Sequence, residues 1–245
     1  MWHVVALVVL CLVVFSKALT GAFVWDDQSQ IVRNPDIRHL STIGHAFGTG
    51  LWSFRYSDSS GAGYYRPLQT VIYTVVYSVA GLSPFAFHLA NLILHCLATL
   101  AIFVIALQLG APPTLALLGA ALFATHPVHT EAVSWIAGVG DVACGVFYFG
   151  SLIAFLKYLK SPKNKWIVLS VLSFAGALFS KEMAITLPAV LVLLLLFERA
   201  KDNSGRTVSP FVIVPYIAAI VVYGACASQR SDCCHRPQPS TTMQL

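Results

Sequence analysis

Charge is what this sequence has least of. Only 10% of its 245 residues are Asp, Glu, Lys or Arg, against 57% hydrophobic residues and a mean hydropathy of +0.75. A soluble domain carries about 25% charged residues. The composition therefore excludes a water-soluble globular protein and makes this an integral membrane protein. Basic runs with interleaved aromatics are missing too, which removes nucleic acid as a partner. The net charge of +5 is read instead as a membrane-orientation signal. No CxxC spacing occurs among the six cysteines, so neither a zinc ribbon nor a disulfide framework is supported. Cys11, Cys96 and Cys144 lie inside apolar runs, as small packed residues do. Met1-Trp2-His3 lacks the basic start of a signal peptide. The first apolar run thus reads as a retained helix, with cleavage near Ser16-Lys17-Ala18 as its rival.

What is present is a series of apolar runs. Residues 2–23 hold one charge, Lys17, and span about 30 Å as a helix. Further spans are expected at Phe85–Leu109, Thr114–Thr125, Val142–Leu159, Trp166–Ser180, Met183–Phe197 and Pro210–Cys226. The fold class is all-α integral membrane, with about seven transmembrane helices. Loop 21–66 is the longest polar region. Within it Ile37, Leu40, Ile43 and Phe47 recur at spacings of three and four, the period of an amphipathic surface helix. Ser57–Gly63 is a small-residue loop. Pro67–Ala80 is apolar but only 14 residues long, so it reads as a second interfacial helix or as the lead-in to the next span. His88, Asn91 and His95 form a polar stripe on one helical face, preferred as a hydrogen-bonded helix contact. Residues 1–227 form one polytopic membrane module. Residues 228–245 read as a disordered or altered tail.

Orientation follows from basic loops. Lys157–Lys165 holds four basic residues in nine and Glu198–Arg206 holds three in nine. Both are cytoplasmic by the positive-inside rule. Counting back then places loop 21–66 outside, and with it His126–Asp141 and Lys181-Glu182. Asp26, Asp27, His126, His129, Glu131, Asp141, Lys181 and Glu182 all fall on one membrane face. An acidic pair where a span leaves the bilayer is a site hypothesis by default. Asp26 or Asp27 suits a general base for an acceptor hydroxyl. The two carboxylates should repel, so one should have a raised pKa while the other is structural, pairing with Arg66 or capping the loop helix. Arg66, His126, His129, Glu131, Lys181 and Glu182 are the candidate substrate-binding groups; Lys181, His126 or the loop arginines suit a phosphate leaving group. A metal shared by His126, His129 and Glu131 ranks below a substrate-binding or structural role, because Pro127 weakens that geometry. No metal and no cofactor are expected.

Several phrases occur in order: Phe23-Val24-Trp25-Asp26-Asp27, Asn34-Pro35-Asp36, Tyr65-Arg66-Pro67-Leu68, Gly81-Leu82-Ser83-Pro84, His88 to His95, His126 to Val133 and Ser180-Lys181-Glu182. Together they resemble the transmembrane and tetratricopeptide-repeat-containing O-mannosyltransferases of the endoplasmic reticulum, and related bacterial membrane proteins with the same repeats. The resemblance covers residues 20–198. It implies the type C glycosyltransferase fold, whose shared module has seven spans with two interfacial helices in the first non-cytoplasmic loop. It also implies a dolichyl-phosphate mannose donor as cosubstrate, a Ser/Thr hydroxyl of an acceptor protein, and a catalytic Asp at the positions of Asp26 and Asp27. The location would be the endoplasmic reticulum in a eukaryote and the inner membrane in a bacterium. This chain has no 34-residue repeats after the seventh span, so a truncated, inactive form is one expectation. A non-catalytic scaffold or a transporter are the alternative readings.

The orientation is testable. A glycosylation acceptor sequence inserted near Ser59 is expected to be modified in a eukaryotic membrane system, and one near Asn164 is not. The opposite pattern would reverse the topology.

Overall fold

The computed structural model describes residues 2–52, 64–201 and 209–233. The Ser57–Gly63 loop, the Asp202–Arg206 part of the second basic stretch and the tail beyond Cys233 lie outside the described residues. Among those described, every regular element is helical. In chain order the α-helices are α1 (Trp2–Phe15), α2 (Ile43–Ala46), α3 (Pro67–Ala80), α4 (Pro84–Gln108), α5 (Pro113–Thr125), α6 (Thr130–Ser134), α7 (Val139–Lys160), α8 (Asn164–Ser180), α9 (Leu187–Lys201) and α10 (Val214–Cys233).

Four helical stretches are long and apolar enough to cross a membrane: Trp2–Thr20, Pro84–Gln108, Ile136–Lys160 and Pro210–Ser228. Pro67–Ala80, Pro113–Thr125, Asn164–Ser180 and Glu182–Phe197 are apolar but shorter. Their outward faces carry Val13, Leu122, Leu172, Leu193 and Val221, all well exposed. Rows of large apolar side chains turned outward are costly in water and suit lipid.

Prolines set the helix starts. Pro67, Pro84 and Pro113 each stand in the first turn, where a missing N–H costs nothing. Gly81 ends α3 in the left-handed region at φ 58° and donates its N–H to the Tyr77 carbonyl, as a glycine cap does. α10 runs past Ala227 to Cys233, because the sequence offers no Gly or Pro until Pro237.

The helices are joined by buried polar contacts. Ser151 on α7 and Ser170 on α8 donate to each other's carbonyls at 2.8 and 2.7 Å, and the Tyr216 hydroxyl of α10 donates to Ser170 Oγ at 2.6 Å. Small hydroxylated residues let helices approach closely in lipid and bond across the seam. The polar stripe of α4 is buried as a whole, but only two of its three residues form the expected hydrogen bonds, His88 having neither ring nitrogen bonded among the described residues. Asn91 donates to the Trp135 carbonyl at 2.8 Å, and the His95 ring bonds the Ala124 carbonyl at 3.1 Å.

Loop 21–52 departs from expectation. The amphipathic helix expected over Ile37–Phe47 is broken into turns at Pro35–Ile37 and Leu40–Thr42 and the four-residue α2. His39 between them is extended, at φ −134° and ψ 137°. The cause is local. Arg38 turns away to bond the carbonyls of Ile31 and Val32, and the Thr42 hydroxyl bonds those of Asp36 and His39. These side chains offer the backbone an alternative to a helix ladder. Ile37 alone of the apolar set is fully buried, while Leu40 is 55% exposed.

Candidate active site

The site is built around one backbone turn, Ile136–Gly138, just before α7. Trp135 leads into it in an extended conformation, and Gly138 N–H bonds back to the Trp135 carbonyl. Close packing fixes the two glycines here. A Cβ on Gly138 would stand 2.8 Å from the Ala132 carbonyl oxygen and 2.9 Å from Ala132 Cα. A Cβ on Gly140 would stand 2.9 Å from Gln69 Oε1 and 3.2 Å from the Ser180 carbonyl. Chain elements distant in sequence thus meet with almost no space between them.

Ala137 at the centre is held from two sides. Its N–H donates to Asp27 Oδ1 at 2.9 Å, and its carbonyl accepts from Gln69 Nε2. Asp27 Oδ2 accepts the Val24 N–H at 3.0 Å. Gln69 and the Tyr73 hydroxyl of α3 both donate to Gln30 Oε1, tying the first loop to the same helix. Asp27 is therefore wholly buried, with both oxygens occupied by backbone. Burial raises its pKa above the usual carboxylate range, the two N–H donors oppose this, and the Asp26 charge adds to it. The raised pKa and the structural role, expected on different carboxylates, thus fall on the same one. Asp27 is bonded to Val24 and Ala137, and not to Arg66 as one expectation had it.

Asp26 differs from its neighbour. It is partly exposed, and no hydrogen bond or ion pair engages its carboxylate among the described residues. Trp25 just before it stands in the left-handed region at φ 48°, is 86% exposed, and sets its ring edge-on to Trp135 at 6.3 Å. A bulky residue at positive φ costs energy and clusters at functional sites. Here the twist separates the buried carboxylate from the free one.

The basic candidates arrive paired. Arg66 grips Glu182 with Nε at 3.0 Å and Nη2 at 2.6 Å. Lys181 Nζ lies 2.6 Å from Asp141 Oδ1. Burial alone would raise Glu182, but the Arg66 guanidinium outweighs it and holds the carboxyl below its usual range. That contribution is present above the ordinary Glu pKa of about 4.3 and is lost as pH falls through the lowered value. Both pairs adjoin the turn, since Gly140 packs on Gln69 and on Ser180, which precedes Lys181.

His126, His129 and Glu131 form a neighbouring group. His126 Nδ1 accepts the Val128 N–H at 3.2 Å, so its other ring nitrogen carries the proton in the neutral form. Its ring centroid is 6.2 Å from that of His129, which lies 5.4 Å from that of His95. Glu131 is exposed in the first turn of α6. No hydrogen bond or ion pair joins these three side chains to Asp26 or Asp27 among the described residues. Gln30, Gln69, Tyr73 and Asn91 complete the scaffold. A signal for them was present: an isolated amide in an apolar helix, as Gln69 is in α3, marks a buried partner.

Residues 66–225 match the profile of the dolichyl-phosphate-mannose-protein mannosyltransferases. The chain belongs to this family. The match begins at Arg66, so Arg66, Asp141, Lys181 and Glu182 lie within it, and Asp26 and Asp27 precede it. Protein O-mannosyl-transferase Tmtc1 of Drosophila melanogaster is 35% identical over 181 residues, covering 72% of this chain and 21% of that protein. Tmtc2 of the same fly is 32% identical over 204 residues, 80% of this chain and 21% of that one. Mouse protein O-mannosyl-transferase TMTC1 is 41% identical over 150 residues, 60% and 16%. The family expected from the ordered motifs is the family found. The chain spans about a fifth of the length of the two fly relatives. No solved structure matches it.

The two carboxylates should separate in stability. Asp27→Asn replaces one acceptor oxygen with a donor, leaving a buried N–H unpaired, and is expected to lower unfolding stability by about 1–3 kcal/mol. Asp26→Asn should stay within about 0.5 kcal/mol. Thermal unfolding in detergent, read by intrinsic fluorescence, checks both.

Proposed function

We propose that the chain is the membrane part of a protein O-mannosyltransferase. It moves mannose from a dolichyl-phosphate donor to a Ser or Thr hydroxyl on the non-cytoplasmic side, in the endoplasmic reticulum. The reading rests on the family, on relatives that are named protein O-mannosyl-transferases, and on one observation. Of two adjacent carboxylates at the end of the first apolar helix, one is buried and doubly bonded while the other is free.

Asp26 is the general base in this reading. It takes the proton from the acceptor hydroxyl, the oxygen forms a bond to the anomeric carbon, and the bond from that carbon to the donor phosphate breaks with its electron pair leaving on the phosphate. Asp27 is a positioning residue that fixes the turn. Arg66 spends Nε and Nη2 on Glu182, which leaves Nη1 for a phosphate oxygen. Lys181 has two further N–H groups beyond the one given to Asp141. Charge held in place where negative charge develops is usually the largest contribution to catalysis. His126, His129 and Glu131 line the approach of the acceptor. Seven spans and a type C glycosyltransferase module belong to the same reading. The four long apolar helices would supply four of these spans, and Pro113–Thr125, Asn164–Ser180 and Glu182–Phe197, with the bilayer thinned around them, the other three.

The test is mannosyl transfer from labelled dolichyl-phosphate mannose to an acceptor peptide, measured in membranes with the full-length protein. Asp26→Asn is expected to lose about 100- to 10,000-fold with insertion and unfolding unchanged. Asp27→Asn is expected to lose less and to be less stable. Wild-type rates in Asp26→Asn would remove the assignment in favour of a non-catalytic scaffold.

A further inference from the structure

The opposite end of the bundle carries a second site. α4 and α7 leave the Ala137 turn and run away from it, and α7 has 22 residues, about 33 Å of rise. Where they end, a cleft of about 580 Å³ opens between the last turns of α4 and α7 and the start of α8. Gln108, Lys157, Lys160, Ser161 and Trp166 line it, with Val104 and Leu107 as an apolar wall.

Four features of the cleft call for an anion. Lys157 Nζ and Lys165 Nζ stand 4.7 and 4.9 Å from the same Trp166 ring centroid, so two like charges converge on one ring. Lys160 Nζ reaches the Gln108 carbonyl at the end of α4, keeping two donors spare. None of these lysines has a carboxylate partner among the described residues. The Gln108 side chain lines the cleft with both Nε2 and Oε1 buried and without a hydrogen-bond partner, a costly state unless a ligand bonds them.

We propose that this cleft binds the headgroup of an anionic membrane phospholipid. Lys157 and Lys160 hold the phosphate, Gln108 bonds a phosphate or glycerol oxygen, and one acyl chain lies along Val104 and Leu107. Basic pockets between membrane helices on the cytoplasmic side recognise such headgroups. The apolar wall distinguishes a lipid from free phosphate. The position, a helix length away from Asp26, separates the cleft from any donor-lipid site at the acidic pair. The proposal is independent of the transferase reading.

The test titrates the purified chain, in uncharged detergent, with short-chain phosphatidylinositol, short-chain phosphatidylcholine or inorganic phosphate, and reads thermal stabilisation and native mass. One phosphatidylinositol per chain is expected, with much weaker binding of the other two probes. Lys157→Gln with Lys160→Gln is expected to weaken binding about 10- to 30-fold. Lys157→Arg with Lys160→Arg, and Lys163→Gln, should keep it. Gln108→Leu supplies a second variant, expected to weaken binding several-fold, should the double Gln variant not stay monodisperse. Equal binding of phosphatidylcholine or of inorganic phosphate, or unchanged affinity in the cleft variants, would overturn the proposal.

Discussion

The backbone N–H and carbonyl of Ala137 are the constraint on which the candidate site depends. They sit where four chain segments meet, and a buried backbone group left unpaired is costly. α7 cannot supply both partners, because the turn lies before its first residue. The partners come from Asp27 in the first loop and Gln69 in α3. Satisfying the backbone of one residue therefore fixes the loop against two helices. It also fixes the two glycines beside it, since neither position has room for a Cβ. The free carboxylate of Asp26 and the paired charges of Arg66, Glu182, Lys181 and Asp141 are placed as a consequence.

This arrangement concentrates polar bonding at one end of an otherwise apolar bundle. Along the helices the polar contacts are few and local, such as the Ser151–Ser170–Tyr216 cluster and the His95–Ala124 bond. They join neighbours and leave the outward faces to apolar residues. At the Ala137 end the bonds run between segments far apart in sequence, 110 residues for Asp27 and 116 for Arg66 with Glu182. Such contacts order a site only after the helices have assembled. The site is thus rigid where it is buried, at Asp27, and accessible where chemistry needs access, at Asp26.

Much of the helical framework was legible because its signals are local. Pro67, Pro84 and Pro113 mark helix starts, apolar runs mark the bodies, and Gly81 marks a stop. The stripe of His88, Asn91 and His95 announced a buried polar face. The first loop was misread because its apolar spacing matches a helix while its stability lies elsewhere. Arg38 and Thr42 bond carbonyls that a helix would have used. The candidate residues were legible as a group, through motif order and membrane sidedness, but not as individuals. Asp26 and Asp27 are chemically identical in sequence. Only the position of the Ala137 amide, set by packing over a long sequence distance, tells them apart. The isolated amide of Gln69 in α3 signalled a buried partner, but that the partner is Gln30 was hidden for the same reason, since the two lie on different segments.

Hydrogen exchange at the Ala137 amide tests most directly whether Asp27 holds this turn. The account predicts a protected amide in the wild-type chain. In Asp27→Ala, exchange in the peptide spanning 135–139 should quicken by about tenfold or more, the loss of one buried hydrogen bond of about 1.5 kcal/mol, while Asp26→Ala should leave it unchanged. Equal exchange at Ala137 in the wild type and in both variants would contradict it.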